Sequence, residues 1–291
     1  MSNKVFIFVP INIGRNLQNL LKKKAPGTEI IAPLSSTEEL RYFEEVFRNP
    51  VEKELPELVV TLQPDILKYF SNPKLSDYYA DFNSDFPALR DDLAVLHFQS
   101  TQPFTKPLFY VPIIMLVNKN LEKPPQKWSA LLDKRFSGRI IAPDQYTPVS
   151  KAFKHIMQDI GGEKETAKCL AEMKYSGLPF DVITGVNKGY YDVGVLPLPF
   201  ARYSMGNNIE TIIPHDGAMV LPQMMFLKKN ASDEAHAIAR ELFSSNIQRF
   251  FSQLGGLIPV IDNIPVPTEL KQNMNFLWKG WKWYQQVVTK K

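Results

Sequence analysis

The residues of this chain best suited to hold a solute are short polar side chains lying between an apolar run and a helical one. Asn12 and Gly14 come after Val5–Val9, Ser35, Ser36 and Thr37 after Thr28–Ala32, and Gln63 after Leu58–Leu62. Further on, Tyr146, Thr147 and Ser150 follow Arg139–Ala142. A helix that starts at such a point turns N–H groups and the positive end of its dipole outward. Together with hydroxyls, that arrangement suits an oxyanion or a carboxylate. The same residues have a plainer use, because Ser36 and Thr147 are preferred N-cap types that bond their own helix.

Other chemistry finds little support. His97, His155, His215 and His236 are scattered, none with a carboxylate partner at metal-ligand spacing, so no metal site is expected. His215 stands beside Asp216-Gly217, which reads as a turn. The single cysteine, Cys169, excludes an internal disulfide or a Cys-rich metal site. No Gly-x-Ser-x-Gly, Walker or paired-carboxylate motif is present, so neither catalysis nor a cofactor is expected. Arg15 and Arg41 could offer fork donors to an anion, although Arg41 is expected to pair with Glu38, Glu44 or Glu45 on its own helix.

The composition, 44% hydrophobic and 22% charged over 291 residues, is that of a globular protein near the size limit of one core, so two lobes are expected. With 34 Lys+Arg against 30 Asp+Glu, the net charge of +4 is far from a nucleic-acid footprint. The Lys22-Lys23-Lys24 run closes a helix, where cations suit the dipole. No apolar stretch approaches the roughly 20 residues of a membrane span. The apolar run at the start is too short for a signal peptide. The chain as written is expected to be cytoplasmic, or extracytoplasmic if an export signal has been trimmed, and monomeric.

The positioning elements follow from periodicity. Val5–Val9, Thr28–Ala32 and Leu58–Leu62 read as strands, separated by helices over Gly14–Lys24 and from Ser36, as N-cap, to Phe47, with Glu39 completing a capping box. Residues 71–107 read as irregular apart from a short helix near Pro87–Leu93. Leu108–Val117 is a long apolar strand broken at Pro112, as a strand passing between lobes would be. Trp128–Leu132 reads as a short helix and Arg139–Ala142 as a strand. A helix starts at Thr147-Pro148 and stops at Gly161-Gly162, followed by helices over Glu163–Met173 and Asp181–Asn187. Strands are expected at Tyr191–Leu196, Ile209–Ile213 and Met219–Leu227. Helices follow to Phe243, over Asn246–Leu254 and over Leu270–Val288, the last a packing helix carrying Trp278, Trp281 and Trp283.

Four segments, in this order, carry a family resemblance: "PLFYVPIIMLVNKNLEKPPQKWSALLDKRFSGRIIAPD" (107–144), "GYYDVGVLP" (189–197), "IIPHDGAMVLPQMMFLKKNASDEAHAIARELF" (212–243) and "NIQRFFSQLGGLIPV" (246–260). The chain resembles a type 2 periplasmic solute-binding protein, of the branch serving ABC importers of ferric iron and similar small ions. The resemblance implies two α/β lobes, each a mostly parallel sheet flanked by helices, joined by crossing strands. Lobe 1 would be 1–107 plus 222–291 and lobe 2 the inserted 108–221. It implies a receptor that closes around a small polar or anionic solute and docks on an ABC permease. An intracellular sensor, or an enzyme on the same scaffold, is the alternative. Ferric-binding relatives use adjacent tyrosines, but the matching positions here are Pro199 and Phe200, which argues against tyrosinate chelation. Tyr190 and Tyr191 fall inside the strand element instead, with one ring expected to be buried. Arg202 and Tyr203 lie just beyond, with surface packing as their expected role.

Overall fold

Short apolar runs alternating with amphipathic ones fold into strands and helices in a computed structural model, which describes residues 3–79, 82, 86–203, 208–271 and 274–289. Parts of the irregular 71–107 stretch and residues 272–273 of the tail lie outside the described residues. The first elements are β1 (Lys4–Ile7), α1 (Ile11–Lys24), β2 (Glu29–Ile31), α2 (Ser36–Phe47), β3 (Leu58–Thr61), α3 (Ile66–Tyr69), α4 (Pro73–Tyr78) and α5 (Asp91–Ala94). Next come β4 (Lys106–Asn118), β5 (Ile140–Pro143), α6 (Pro148–Glu172), β6 (Lys174–Ser176), α7 (Pro179–Asn187), β7 (Val193–Pro197) and α8 (Leu198–Ala201). The last are β8 (Ile209–Ile212), β9 (Ala218–Leu227), α9 (Asp233–Leu242), α10 (Ser245–Gln253), β10 (Ile258–Pro259), β11 (Phe276–Leu277) and α11 (Gly280–Thr289).

The chain divides into two compact units. The first is Met1–Tyr110 with Pro222–Val266 and Lys279–Lys291; the second is Val111–Leu221 with Pro267–Trp278. In the first unit β1 lies parallel between β2 and β3, and β3 pairs antiparallel with β9 from Leu58↔Leu227 to Thr61↔Met224. Helix α1 buries Ile13, Leu17 and Leu21, a helical spacing that faces the sheet. Helix α2 brings Tyr42 and Phe43 onto Phe6, with ring centroids at 4.7 and 5.3 Å. Two segments depart from the sequence reading here. The helix expected near Pro87–Leu93 is only α5, because Pro87 and its neighbours stay extended, and α4 was not anticipated.

In the second unit β5 lies parallel between β6 and β7, and β4 pairs antiparallel with β7 and β8. Gly162, at φ 80°, breaks α6 where a stop was expected, although helical residues continue on both sides. Trp128 opens a short 3₁₀ helix and pins the 214–217 turn. Its backbone N–H donates to the Asp216 carboxylate and its indole N–H to the Gly217 carbonyl at 2.8 Å.

The C-terminal tail is not one helix from Leu270. Its Phe276 and Leu277 pair parallel with Ala218 and Met219, and Arg202 forks onto Glu269 at 2.7 and 2.6 Å. These bonds assign Pro267–Trp278 to the second unit, where the sequence reading had taken 222–291 as one block. Helix α11 then returns to the first unit: the Trp281 indole N–H donates to the Phe98 carbonyl and the Tyr284 hydroxyl to the Leu62 carbonyl.

Gly217 is a close approach between the 214–217 turn and the tail. It sits at φ 108°, and a Cβ there would come within 2.8 Å of the Asn275 carbonyl oxygen. Gly217→Ala is expected to lower unfolding free energy by about 2 kcal/mol or more through strain and clash. Urea denaturation checks this; an unchanged midpoint would remove the turn from the fold's requirements.

Candidate functional site

Parallel strands deliver their carboxyl ends to one edge of a sheet, and open α/β sheets bind ligands at that edge. In the first unit the ends of β1, β2 and β3 bring together the segments holding Asn12 and Gly14, Ser35–Thr37, and Gln63. Their roles differ from the expectation in detail. Pro10, not Asn12 or Gly14, is the N-cap of α1, so both residues lie inside the first turn, with Gly14 buried. The N-cap of α2 is Ser35, whose hydroxyl accepts from Glu38 N–H at 3.2 Å. Glu38 in turn accepts from Leu34 N–H at 2.9 Å, so the capping interaction sits one residue earlier than Ser36 and Glu39. Ser36 and Thr37 follow in the first turn.

Glu39, which takes no part in the cap, lies on the buried face of α2 with Phe43 and Phe47. It is fully buried, its Oε1 accepting from the Thr61 hydroxyl at 2.5 Å, while Thr61 Oγ1 itself accepts from Gln63 N–H at 2.8 Å. Gln63 is fully buried as well, and both heteroatoms of its carboxamide lack a hydrogen-bond partner among the described residues. Glu39 Oε2 and Gln223 Oε1 are in the same condition, while the Gln223 amide donates to the Phe8 carbonyl at 2.7 Å. Asp65 and Tyr284 complete the surroundings; burial raises the Tyr284 pKa, and the charges of Glu39 and Asp65 raise it further. Buried polar groups are nearly always bonded, and each exception costs about 1–3 kcal/mol. This cluster therefore holds unused hydrogen-bonding capacity at the edge where the fold family places ligands. Glu39, Thr61 and Gln223 were not singled out from the sequence; only the capping-box register could have pointed to Glu39.

In the second unit the carboxyl ends of β5, β6 and β7 share an edge too. Thr147 is the N-cap of α6: its hydroxyl accepts from Ser150 N–H and donates to the Asp144 carbonyl. Ser150 donates to the Pro143 carbonyl at 2.7 Å. Both hydroxyl protons are thus committed locally, which is the plainer reading of these two residues. What the edge presents outward is apolar surface with rings: Tyr146, Leu178, Phe180 and Tyr203 are exposed, with Phe180 meeting Phe200 edge-on at 6.1 Å. Pro199 and Phe200 are buried in α8, Tyr190 is exposed, and Tyr191 packs against Gly185 rather than lying in β7. Among the described residues no group of His, Cys, Asp and Glu is arranged to hold a metal ion.

Two α/β units, each with ligand-ready strand ends, define the class as a two-lobe periplasmic-binding-protein type. The model of the family described as bacterial extracellular solute-binding protein matches residues 53–286, and the chain belongs to that family. No curated protein matches the chain by sequence. Among solved structures it is similar to the apo ferric ion-binding protein A of Pasteurella haemolytica, at 13% identity and TM-score 0.71, covering 99% of this chain and 97% of that one. It is also similar to the ferric binding protein of Campylobacter jejuni, at 15% identity and TM-score 0.72, covering 99% and 95%. A two-component system protein that mediates signal transduction aligns at 15% identity and TM-score 0.77, covering 99% and 100%.

The buried carboxyl has a pH signature. Burial is the main cause raising the Glu39 pKa well above 4.5; the Thr61 bond opposes it and Asp65 adds to it. A group whose folded pKa is raised contributes stability that is complete below its unfolded value and is lost as pH rises through the folded value. Glu39→Gln, neutral at every pH, is expected to melt higher than wild type at pH 7–8, with the gap closing toward pH 4.5. Calorimetric melting across pH 4–8 checks it; a gap independent of pH would mean that Glu39 does not titrate in this range.

Proposed function

We propose that this chain is the receptor component of an ABC-type importer, working outside the cytoplasmic membrane as a monomer, and that it takes up a small polar or anionic solute. Family membership makes it a solute-binding protein and favours reception over the intracellular sensing considered from the sequence. Among the described residues no helix is long and apolar enough to cross a membrane, so a permease would be a separate partner. The single observation that carries the site assignment is Gln63. Its carboxamide offers two donors and an acceptor, buried and unused, directly after β3.

Burial raises the Glu39 pKa, which disfavours the carboxylate form that would repel an anion. Asn12 and the first turns of α1 and α2, including Gly14 and Ser35–Thr37, supply N–H groups at the same edge. In the second unit Tyr146 and the Thr147–Ser150 turn are the corresponding contacts, with the exposed rings suited to the apolar part of an organic solute. No ferric chelation is assigned: ferric binding is named only for the similar proteins, and the positions that the family resemblance matches to chelating tyrosines are Pro199 and Phe200. We assign no catalysis either. The Cys169 thiol is pushed up to about 11 by burial and Glu172, and it points at the Leu131 carbonyl, which makes it a poor nucleophile.

The test is a thermal-shift screen of oxyanions, carboxylates and small organics, repeated on Gln63→Leu. A true ligand at a hundredfold excess over its Kd stabilises wild type by about 2.7 kcal/mol. The variant is expected to lose that shift while melting, without ligand, at or above the wild-type temperature, since two unsatisfied buried atoms are gone. A variant that keeps the shift removes Gln63 from recognition.

A further inference from the structure

A groove of about 450 Å³ lies between helix α2 and the segment that runs from the end of β2 to Pro33. All of its lining belongs to the first unit, where β2 is the outermost strand. That volume falls within the roughly 300–1,000 Å³ of small-molecule sites. The floor is apolar: Ile31, Ala32 and Pro33 on the strand side, and the Phe6 ring with Tyr42 stacked on it at 4.7 Å. The opposite wall is one face of α2. Glu38, Arg41, Tyr42 and Glu45 recur there at helical spacing, so their side chains share that face.

The rim carries charges that the protein leaves unused. The sequence predicts that Arg41 pairs with Glu38, Glu44 or Glu45, and none of these pairs forms among the described residues. Glu44 is taken by Arg48 at 2.6 Å and by the Tyr69 hydroxyl at 2.7 Å. Glu38 accepts from Leu34 N–H at 2.9 Å. Glu45 lies one turn beyond Arg41, yet the two do not meet, and neither charge has a partner among the described residues. Both side chains are exposed above the apolar floor. A lone carboxylate entering the groove would meet Glu38 and Glu45, and a lone amine would meet Arg41. A molecule with both charges on one carbon avoids both penalties, because each charge finds its opposite.

We infer that this groove is a second binding site, for a free α-amino acid with an apolar side chain. Its carboxylate takes the Arg41 fork, its ammonium the Glu45 carboxylate, and its side chain lies against Ile31, Pro33 and the Tyr42 ring. None of these residues belongs to the strand-end set around Gln63, so the site acts apart from the solute proposed above.

Calorimetric titration of the whole chain with leucine and phenylalanine, against glycine, leucinamide and N-acetylleucine, tests the assignment. The two apolar amino acids are expected to bind. Leucinamide, which lacks the carboxylate, and N-acetylleucine, which lacks the ammonium, should each bind about fivefold more weakly, and glycine about tenfold. Arg41→Met is expected to weaken leucine about fivefold without weakening leucinamide. Glu45→Gln should weaken leucine about as much without weakening N-acetylleucine. Both residues are exposed, so the variants should melt as wild type does. Gln63→Leu should bind leucine as wild type does; lost binding there would put the amino acid at the strand ends and overturn this proposal, not the one above. No heat from either apolar amino acid, equal binding of leucine and its two derivatives, or undiminished binding by Arg41→Met and Glu45→Gln also overturns it.

Discussion

Strands β4 and β9 are buried along nearly their whole length, Pro107–Asn118 and Ala218–Leu227. In that position every backbone N–H and C=O needs a ladder partner, because no water is at hand to replace one. Proline cannot donate, so it belongs where the ladder changes hands. Each of these strands carries a proline at such a point. Pro112 falls between Tyr110, paired with β10, and Ile113, paired with β7. Pro222 falls between Met219, paired with β11, and Met224, paired with β3. The division into units passes beside both prolines, at Tyr110/Val111 and at Leu221/Pro222. Partner exchange along two buried strands is what lets the same strands serve both units, and the strand ends of each unit depend on it.

At the strand ends of the first unit, burial and hydrogen bonding pull in opposite directions. Glu39, Thr61, Gln63 and Gln223 lie in apolar surroundings where a polar atom without a partner is expensive. Thr61 answers part of this by donating to Glu39 and accepting from Gln63, and Tyr284 caps the Leu62 carbonyl from the returning C-terminal helix. The remaining capacity stays with Gln63, Glu39 and Gln223. A fold selected for stability alone would fill such positions with hydrocarbon. Retaining amides and a carboxyl there costs stability, and the recognition role proposed above is what would offset it.

The strand ends of the second unit solve their local problem the opposite way. Thr147 and Ser150 spend their hydroxyl protons on the Asp144 and Pro143 carbonyls, leaving rings and aliphatic surface outward. The two strand-end edges therefore differ in chemistry, buried hydrogen-bonding groups in one unit and exposed apolar and aromatic side chains in the other.

The sequence by itself determined most of the strands and helices outside residues 71–107 and the C-terminal tail. Patterns of period two and 3.6 and the Thr147-Pro148 cap act over a few residues, and the second-unit turn at Asp216-Gly217 is equally local. It also placed Gln63 and the first turns of α1 and α2 at strand ends, since a strand followed by a helix puts its connection there. What it left undecided is long-range. Glu39 becomes buried because it shares a face of α2 with Phe43 and Phe47 and that face packs inward, while the capping role passes to Ser35 and Glu38. Pro267–Trp278 joins the second unit through β11 and the Arg202–Glu269 fork, contacts between residues about sixty positions apart that no local pattern encodes. The orphaned atoms of Gln63 and the unpaired charge of Arg41 are likewise invisible in one dimension, because whether a polar atom finds a partner depends on every element packed around it, and only the tertiary structure brings those elements together.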